Sequence, residues 1–263
     1  MKVISIVLRE GFCNRMSQYC FARAYAERHG CLLQTNAWMG QHIFEINDPP
    51  IDRDRPVVVM EELEKWDGAT DVQIAGWGQH QKHLLYSRAD ARRWFTFRPE
   101  IEALLGNVPK LEVAAHLRWG DFIGAGQFIA ITKESYLVAC DQYGIDRTKL
   151  TFVSEESPIR VPEIPRSARP ARSRRANSSV TSLEFLPDWY ALIQAKILFR
   201  APSTFSLWAG ILGRHERVFS PDLRGLPFEG INRPKMDVPF VEGNHMPITA
   251  HWHGHSELHL RET

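Results

Sequence analysis

The chain has 263 residues, a length that suits one large domain or two small ones. Hydrophobic residues make up 44% and charged residues 24%, as in ordinary globular proteins, and 32 Lys and Arg nearly balance 31 Asp and Glu to leave a formal charge of +1. This balance excludes the strongly basic field of a nucleic-acid-binding protein, so no nucleic-acid partner is expected.

Strands and helices alternate along the first part of the chain. The predicted elements are strands at residues 2–8, 31–35 and 72–77, a helix at residues 15–30, and a charged amphipathic helix over residues 83–106. The first strand (KVISIVL) is rich in β-branched side chains, and the first helix stops at a His-Gly pair. Strand, short loop and helix form the opening of a βαβ unit.

A second half begins near Lys110 with the same alternation. It contains predicted strands at residues 111–117, 149–154 and 197–202 and predicted helices at residues 132–144, 187–196 and 203–213. An arginine- and proline-rich run at residues 162–179 has no apolar period and predicts an exposed loop. The pattern predicts an α/β protein with two Rossmann-like lobes, residues 1–108 and 109–263, and ligands at the carboxyl ends of strands.

One predicted strand ends in a cluster of polar residues, in the stretch VAAHLRWGDF. His116, Arg118 and Asp121 follow one another closely there, at the carboxyl end of the strand. Arg118 carries a planar, permanently charged fork that suits a pyrophosphate, and Asp121 could orient that arginine, accept from a sugar hydroxyl or act as a base. The alternative interpretation is a structural Arg–Asp pair beside a core histidine.

Two strand-to-helix loops are further candidates for binding an anion. The STFS segment at residues 203–206 would direct hydroxyls and backbone N–H groups at an incoming anion, although by itself such a segment is more commonly a plain N-cap. The GFCN segment at residues 11–14 has one glycine where a good phosphate-binding fingerprint has three. Trp38, Trp77 and Trp189 could stack on sugar rings, with core packing as the alternative.

The cysteines and the N-terminus indicate the compartment. Cys13, Cys20, Cys31 and Cys140 form no CxxC pair, which favours a reduced, cytoplasmic setting. The apolar run at the N-terminus is too short for a signal peptide core or a membrane span, which leaves peripheral membrane association open.

Five segments taken together resemble the α-1,2-fucosyltransferases, within the wider α-1,2/α-1,6/protein O-fucosyltransferase superfamily. GFCNRMSQY resembles the family's Gly-x-Gly-Asn-Gln-Met-x-Gln-Tyr, GWGQH its Gly-Tyr-x-Gln-Ser, and HLRWGDF its His-x-Arg-Arg-Gly-Asp-Tyr. TFVSEES stands where the family has Phe-Ser-Asp-Asp, and the segment from DWYAL to STFSLW resembles its Asp-x-Tyr through Ser-Thr-Phe-Ser-Trp-Trp. Their order and spacing hold over residues 4–213.

The resemblance implies a GT-B-like fold, with two Rossmann-like lobes facing across a cleft. It also implies inverting transfer of L-fucose from GDP-fucose to a glycan, most simply the 2-hydroxyl of a galactoside, without a cofactor or an essential metal. Arg118 and Asp121 would be catalytic. The donor would contact Gly11, Asn14, His116, Arg118, Asp188, Ser203, Thr204, Phe205 and Ser206. The acceptor would contact Trp77, Gln79 and His80 in the first lobe, because the GWGQHQ stretch at the end of a predicted strand combines the polar and aromatic side chains that suit a sugar.

Departures from the family pattern concern the sugar and the acceptor more than the GDP site. Cys13 replaces a glycine, and Arg15 replaces a glutamine. Trp119 removes the second arginine of the motif, a charge that Arg15 would replace. Glu155 and Glu156 replace two aspartates.

Other functions remain as alternatives. One is a GT-B transferase that uses a different GDP-deoxyhexose, and another is a non-catalytic nucleotide-sugar or glycan-binding module. A Ser-His-Asp hydrolase and a P-loop kinase are disfavoured, because the chain has no GxSxG and no GxxxxGK[ST] motif. The histidine-rich tail could bind a metal, but no cysteine or second cluster completes a site.

Overall fold

The computed structural model of the chain is a mixed α/β structure with one parallel sheet and one mostly parallel sheet. It describes residues 2–60, 62, 71–79, 83–119, 129–155, 158–162, 164, 183–224 and 235–244. The chain divides into two compact units, one containing the described residues up to Ala103 and the other those from Leu104 onward. In the described part, no helix is long and apolar enough to cross a membrane.

The sheet of the first unit has four parallel strands. They are β1 (Val3–Ile6), β2 (Leu32–Thr35), β3 (Val57–Val59) and β4 (Val72–Ala75), in the order β2-β1-β4-β3. Ile4 of β1 faces Leu33 on one side and Val72 on the other, so the first strand lies inside the sheet. This position explains why the strand is almost wholly apolar.

The helices around this sheet begin and end at recognisable signals. They are α1 (Phe12–His29), the single turn α2 (Gly40–Ile43), α3 (Arg88–Trp94) and α4 (Pro99–Leu105), the last of which runs into the second unit. Gly30 ends α1 in the left-handed conformation, with φ of 60°, and its N–H donates to the Ala26 and Glu27 carbonyls. The helix begins at Phe12, three residues before the predicted start.

The helix predicted over residues 83–106 is wrong as a single element. Ser87 starts α3 with a capping box, in which its side chain and that of Asp90 each accept from the other's backbone N–H. Phe97 then pairs with Phe44 in an isolated antiparallel bridge, and Pro99 starts α4. A proline favours the first turn of a new helix, so the chain is extended between α3 and α4.

The sheet of the second unit has five strands. They are β5 (Val113–Leu117), β6 (Leu150–Ser154), β7 (Ile197–Phe199), β8 (Arg217–Pro221) and β9 (Phe240–Glu242), in the order β6-β5-β7-β8-β9. The first four are parallel, and β9 joins the edge of the sheet antiparallel to β8. The helices of this unit are α5 (Lys133–Gln142), α6 (Leu186–Gln194) and α7 (Thr204–Leu212).

The two faces of strand β5 differ in what they contact. All five residues of β5 are buried, and Val113, Ala115 and Leu117 belong to a core that includes the aromatic rings of α5, β7, β8 and β9. His116 lies at an alternate position of the strand, and its ring contacts Phe205 of α7 instead. Alternation along β5 therefore separates a fully apolar face from a face that carries polar groups.

Candidate functional site

Three neighbouring strands of the second unit end in charged residues. Arg118 directly follows β5, Glu155 directly follows β6 and Arg200 directly follows β7. Because β5, β6 and β7 are parallel and adjacent, their carboxyl ends meet at one edge of the sheet. This edge is where an open α/β sheet binds its ligands.

Arg118 pairs with a carboxylate on the neighbouring strand end. Its Nη1 lies 2.7 Å from Oε1 of Glu155, and the two side chains are 27% and 54% exposed. Asp121, the acidic partner considered from the sequence, lies outside the described residues. The structure therefore shows a partly exposed guanidinium whose carboxylate partner comes from β6.

His116 is a neutral, buried imidazole at the same edge. Its ring centroid lies 5.1 Å from that of Phe205, and its backbone carbonyl accepts from the Tyr136 hydroxyl at 2.8 Å. Burial, and then the nearby Arg118 and Arg200 guanidinium groups, lower the pKa of His116 to about 3. The ring is therefore uncharged at neutral pH. Within the described chain its buried Nδ1 has no hydrogen-bond partner.

Arg200 lies at the same edge of the sheet and was not among the residues predicted from the sequence. Its side chain is fully buried, and Nη1 donates to the Ser220 hydroxyl at 3.0 Å. That hydroxyl in turn donates to the Gly243 carbonyl at 2.7 Å, which links β7 to β8 and to the end of β9. An arginine within the apolar segment ILFRAP is the signal that could have identified it, since arginine is rarely fully buried.

The start of α7 is a closed hydrogen-bonded turn. Ser203 is the N-cap, and its hydroxyl accepts from the Phe205 N–H at 3.2 Å. The fully buried Ser206 hydroxyl donates to the Ala201 carbonyl at 3.0 Å and accepts from its N–H at 3.2 Å. These two hydroxyls fix the turn, while Thr204 begins the helix. Contact of residues 203–206 with a nucleotide stays a prediction.

Asp188 anchors a loop from the first turn of α6. It is 8% exposed, and its Oδ1 accepts from the Ile159 N–H at 2.6 Å, which ties the segment after β6 to this helix. The resemblance to the fucosyltransferases implies that Asp188 would hold the guanine or the ribose of the donor, and this role stays a prediction.

Two substitutions of Asp188 separate the effect of its hydrogen bond to the Ile159 N–H from the effect of its charge. We expect Asp188→Ala to lower the free energy of unfolding by about 1–3 kcal/mol, because the Ile159 N–H loses its acceptor. Asp188→Asn keeps an oxygen acceptor and should lose about 1 kcal/mol or less, mainly the helix-dipole interaction. Urea denaturation measures both values. Equal losses for the two variants would show that the charge, and not the hydrogen bond, stabilises this region.

The first unit brings together two of its predicted residues. Gln79 follows β4 and is 7% exposed, and its Nε2 donates to Oδ1 of Asn14 in α1 at 3.0 Å. Gly11 is the N-cap of α1, and Trp77 is 46% exposed. His80 lies outside the described residues. Donor contact for Gly11 and Asn14 and acceptor contact for Trp77, Gln79 and His80 therefore remain predictions.

Arg15 and two of the tryptophans are engaged inside the protein. Arg15 is buried, and its Nε donates to the Glu10 carbonyl at 2.8 Å, within the first unit. Trp38 and Trp189 are buried and pack against other aromatic rings, as the core-packing alternative expects. Trp77 is the exposed member of the three.

Metal-ligating side chains do not cluster in the part of the chain that the structure describes. Within residues 2–60, 62, 71–79, 83–119, 129–155, 158–162, 164, 183–224 and 235–244, no group of three or more His, Cys, Asp or Glu side chains could hold a metal ion. None of the four cysteines, all of which lie in the described ranges, forms a disulfide. The histidine-rich tail and most of the arginine-rich run lie outside these residues.

Comparison with known proteins rests on structure. No protein-family model matches the sequence, and no curated protein matches it either. A NodZ α-1,6-fucosyltransferase soaked with GDP-fucose matches with a TM-score of 0.53 at 14% identity, over 92% of this chain and 99% of that one. NodZ co-crystallised with GDP matches with a TM-score of 0.51 at 15% identity, over 85% of this chain and 96% of that one. Selenomethionine NodZ from Bradyrhizobium matches with a TM-score of 0.52 at 14% identity, over 84% of this chain and 95% of that one. The chain therefore shares the fold of the NodZ fucosyltransferase structures.

Proposed function

We propose that this chain is an inverting glycosyltransferase that moves L-fucose from GDP-fucose to a hydroxyl of a glycan. The observation that carries the proposal is the group at the carboxyl end of β5, where Arg118 follows the strand and the neutral His116 ring contacts Phe205 in the first turn of α7. The shared fold supports it, because the NodZ structures were prepared with GDP and with GDP-fucose.

The chemistry of such a transfer fits these residues. GDP leaves as an anion, so a cation held at the diphosphate stabilises charge as it develops. Arg118 offers a planar fork for two phosphate oxygens, and the first turn of α7 offers the positive end of a helix dipole. His116, uncharged, would give or accept a hydrogen bond without adding a third charge. Asp121 would act as the second catalytic group, orienting Arg118 or taking a proton.

The two units would divide the two substrates. In the GT-B arrangement, residues 1–108 would hold the acceptor and residues 109–263 the donor, on facing sides of a cleft. Trp77, exposed at the end of β4, would stack on a sugar ring. The sequence motifs favour transfer to the 2-hydroxyl of a galactoside, whereas NodZ is named as an α-1,6-fucosyltransferase. The linkage made by this chain is thus part of the proposal.

Catalysis would proceed without an essential metal, because Arg118 and the start of α7 would neutralise the diphosphate. The test is a thermal-shift comparison of GDP, UDP and CMP, followed by an assay of GDP-fucose hydrolysis and transfer in EDTA. Stabilisation by GDP above the other nucleotides, with fucose released in EDTA, is expected. Linkage analysis of the product then assigns the acceptor hydroxyl.

Other outcomes of the same experiments would replace the proposal. Stabilisation by GDP without turnover of GDP-fucose would favour a non-catalytic nucleotide-sugar module or a different GDP-deoxyhexose. Equal stabilisation by UDP would remove the guanine assignment. Activity lost in EDTA and restored by Mn²⁺ would overturn the metal-free mechanism.

A further inference from the structure

Arg118 and Glu155 are placed side by side by the sheet itself. In the register of the β5–β6 ladder, Leu117 faces Ser154, so the next residues of the two strands, Arg118 and Glu155, leave the sheet as neighbours. Their side chains meet at 2.7 Å, with 27% and 54% of their surfaces exposed. The pairing therefore follows from backbone geometry and does not depend on a long loop.

A pair of this kind is weak enough to be exchanged. Exposed ion pairs contribute little to stability, because water and salt screen them and ordering two long side chains costs entropy. A guanidinium also binds a diphosphate in the same forked geometry that it uses for a carboxylate. An arriving diphosphate and the Glu155 carboxylate would compete for the same group.

We propose that Glu155 is the resident counter-ion of Arg118, displaced when the donor diphosphate binds and returned when GDP leaves. The inference rests on the proposed function, since it takes the diphosphate of GDP as the ligand of Arg118. Glu155 opposes binding in two ways: it competes for the guanidinium, and once displaced its negative charge repels the phosphates. It holds down the affinity for GDP and so favours release of this product.

The sign of one substitution tests the inference. Isothermal titration calorimetry with GDP and with inorganic diphosphate compares the wild type with Glu155→Gln, which keeps the size of the side chain and removes its charge. We expect both ligands to bind the variant roughly threefold to tenfold more tightly, because competition and repulsion are both removed. Glu155→Ala provides the same comparison if the Gln variant does not fold.

The matched control is Glu242→Gln. Glu242 pairs with Arg217 at 2.9 Å, and the two side chains are 49% and 32% exposed. Like Glu155→Gln, this substitution removes the charge of a partly exposed glutamate that is paired with an arginine. Arg217 begins β8, which places this pair at the opposite end of the sheet from Arg118. Both affinities should stay at the wild-type values in this variant.

The other outcomes separate this inference from the proposed function. Unchanged or weaker binding of both ligands by Glu155→Gln would overturn the counter-ion role. Weaker binding of GDP with unchanged binding of diphosphate would also overturn it, and would place Glu155 at the nucleoside. A wild type that binds neither ligand and does not turn over GDP-fucose would refute the proposed function, and the inference with it.

Discussion

Replacing Arg118 by lysine is expected to lower kcat for fucosyl transfer by roughly 10²–10³-fold, the effect of losing one preorganised donor at a site of developing charge. Lysine keeps the positive charge but loses the planar fork that holds two phosphate oxygens. The melting temperature should change little, since the pair with Glu155 is partly exposed and such pairs contribute about 0–1 kcal/mol. Steady-state kinetics and thermal denaturation of the purified variant provide the two measurements.

The control for this prediction is Arg217→Lys. Arg217 also pairs with a partly exposed glutamate, but it lies at the amino end of β8. Its replacement should leave kcat at the wild-type value. Near-normal turnover by Arg118→Lys would contradict a role at the leaving group. So would a variant that unfolds while each folded molecule retains full activity, because Arg118 would then be a structural residue.

Gly78→Ala should destabilise the protein by about 3 kcal/mol. Gly78 has a φ of +66°, and a Cβ there would lie 2.6 Å from the backbone oxygen of Ser17 in α1. The left-handed conformation costs an alanine about 1–2 kcal/mol, and the contact with helix backbone adds a clash of about 1–3 kcal/mol, because neither element can shift freely. Urea denaturation at neutral pH measures the loss.

A second glycine isolates the contribution of the close approach. Gly144 also has a φ of +66°, but a Cβ there would meet nothing within 4 Å. Gly144→Ala should therefore lose only the conformational part, about 1–2 kcal/mol. If the two variants lose equal stability, the approach of residue 78 to α1 is not tight. Because Gly78 precedes Gln79, its variant should also disturb the hydrogen bond to Asn14.

Apolar runs identified β1 and β5, two of the strands that lie inside the sheets. Residues 2–8 and 111–117 read as buried strands, and β1 and β5 both lie between two neighbours. Three strands were missed. β3 is three residues long, with its two end valines exposed, β9 is also three residues long, and β8 begins with an arginine and ends with a proline. Their pairing comes from tertiary contacts that local periodicity does not carry.

The candidate site divides in the same way. The placement of His116 and Arg118 at the carboxyl end of a strand could be predicted, because polar residues at the end of an apolar run stand out in the sequence. Glu155 as the partner of Arg118 could not, since it depends on which strand lies beside β5. The hydrogen bond from Ile159 to Asp188 likewise joins segments distant in sequence. Register and strand order decide these contacts, and a local sequence pattern predicts neither of them.

The order of strands in the two sheets bears on how the chain folds as it is synthesised. Ile4 of β1 can pair with Val72 only after the ribosome has added that residue, and the Val3 N–H likewise finds its acceptor, the Asp71 carboxylate, 68 positions later. Val113 of β5 likewise pairs with Ile197, which is synthesised much later. Contacts between such distant residues slow folding, and an unpaired apolar strand is prone to aggregate until its neighbour arrives. A nascent chain that ends before β7 exposes one edge of β5, a substrate for chaperones.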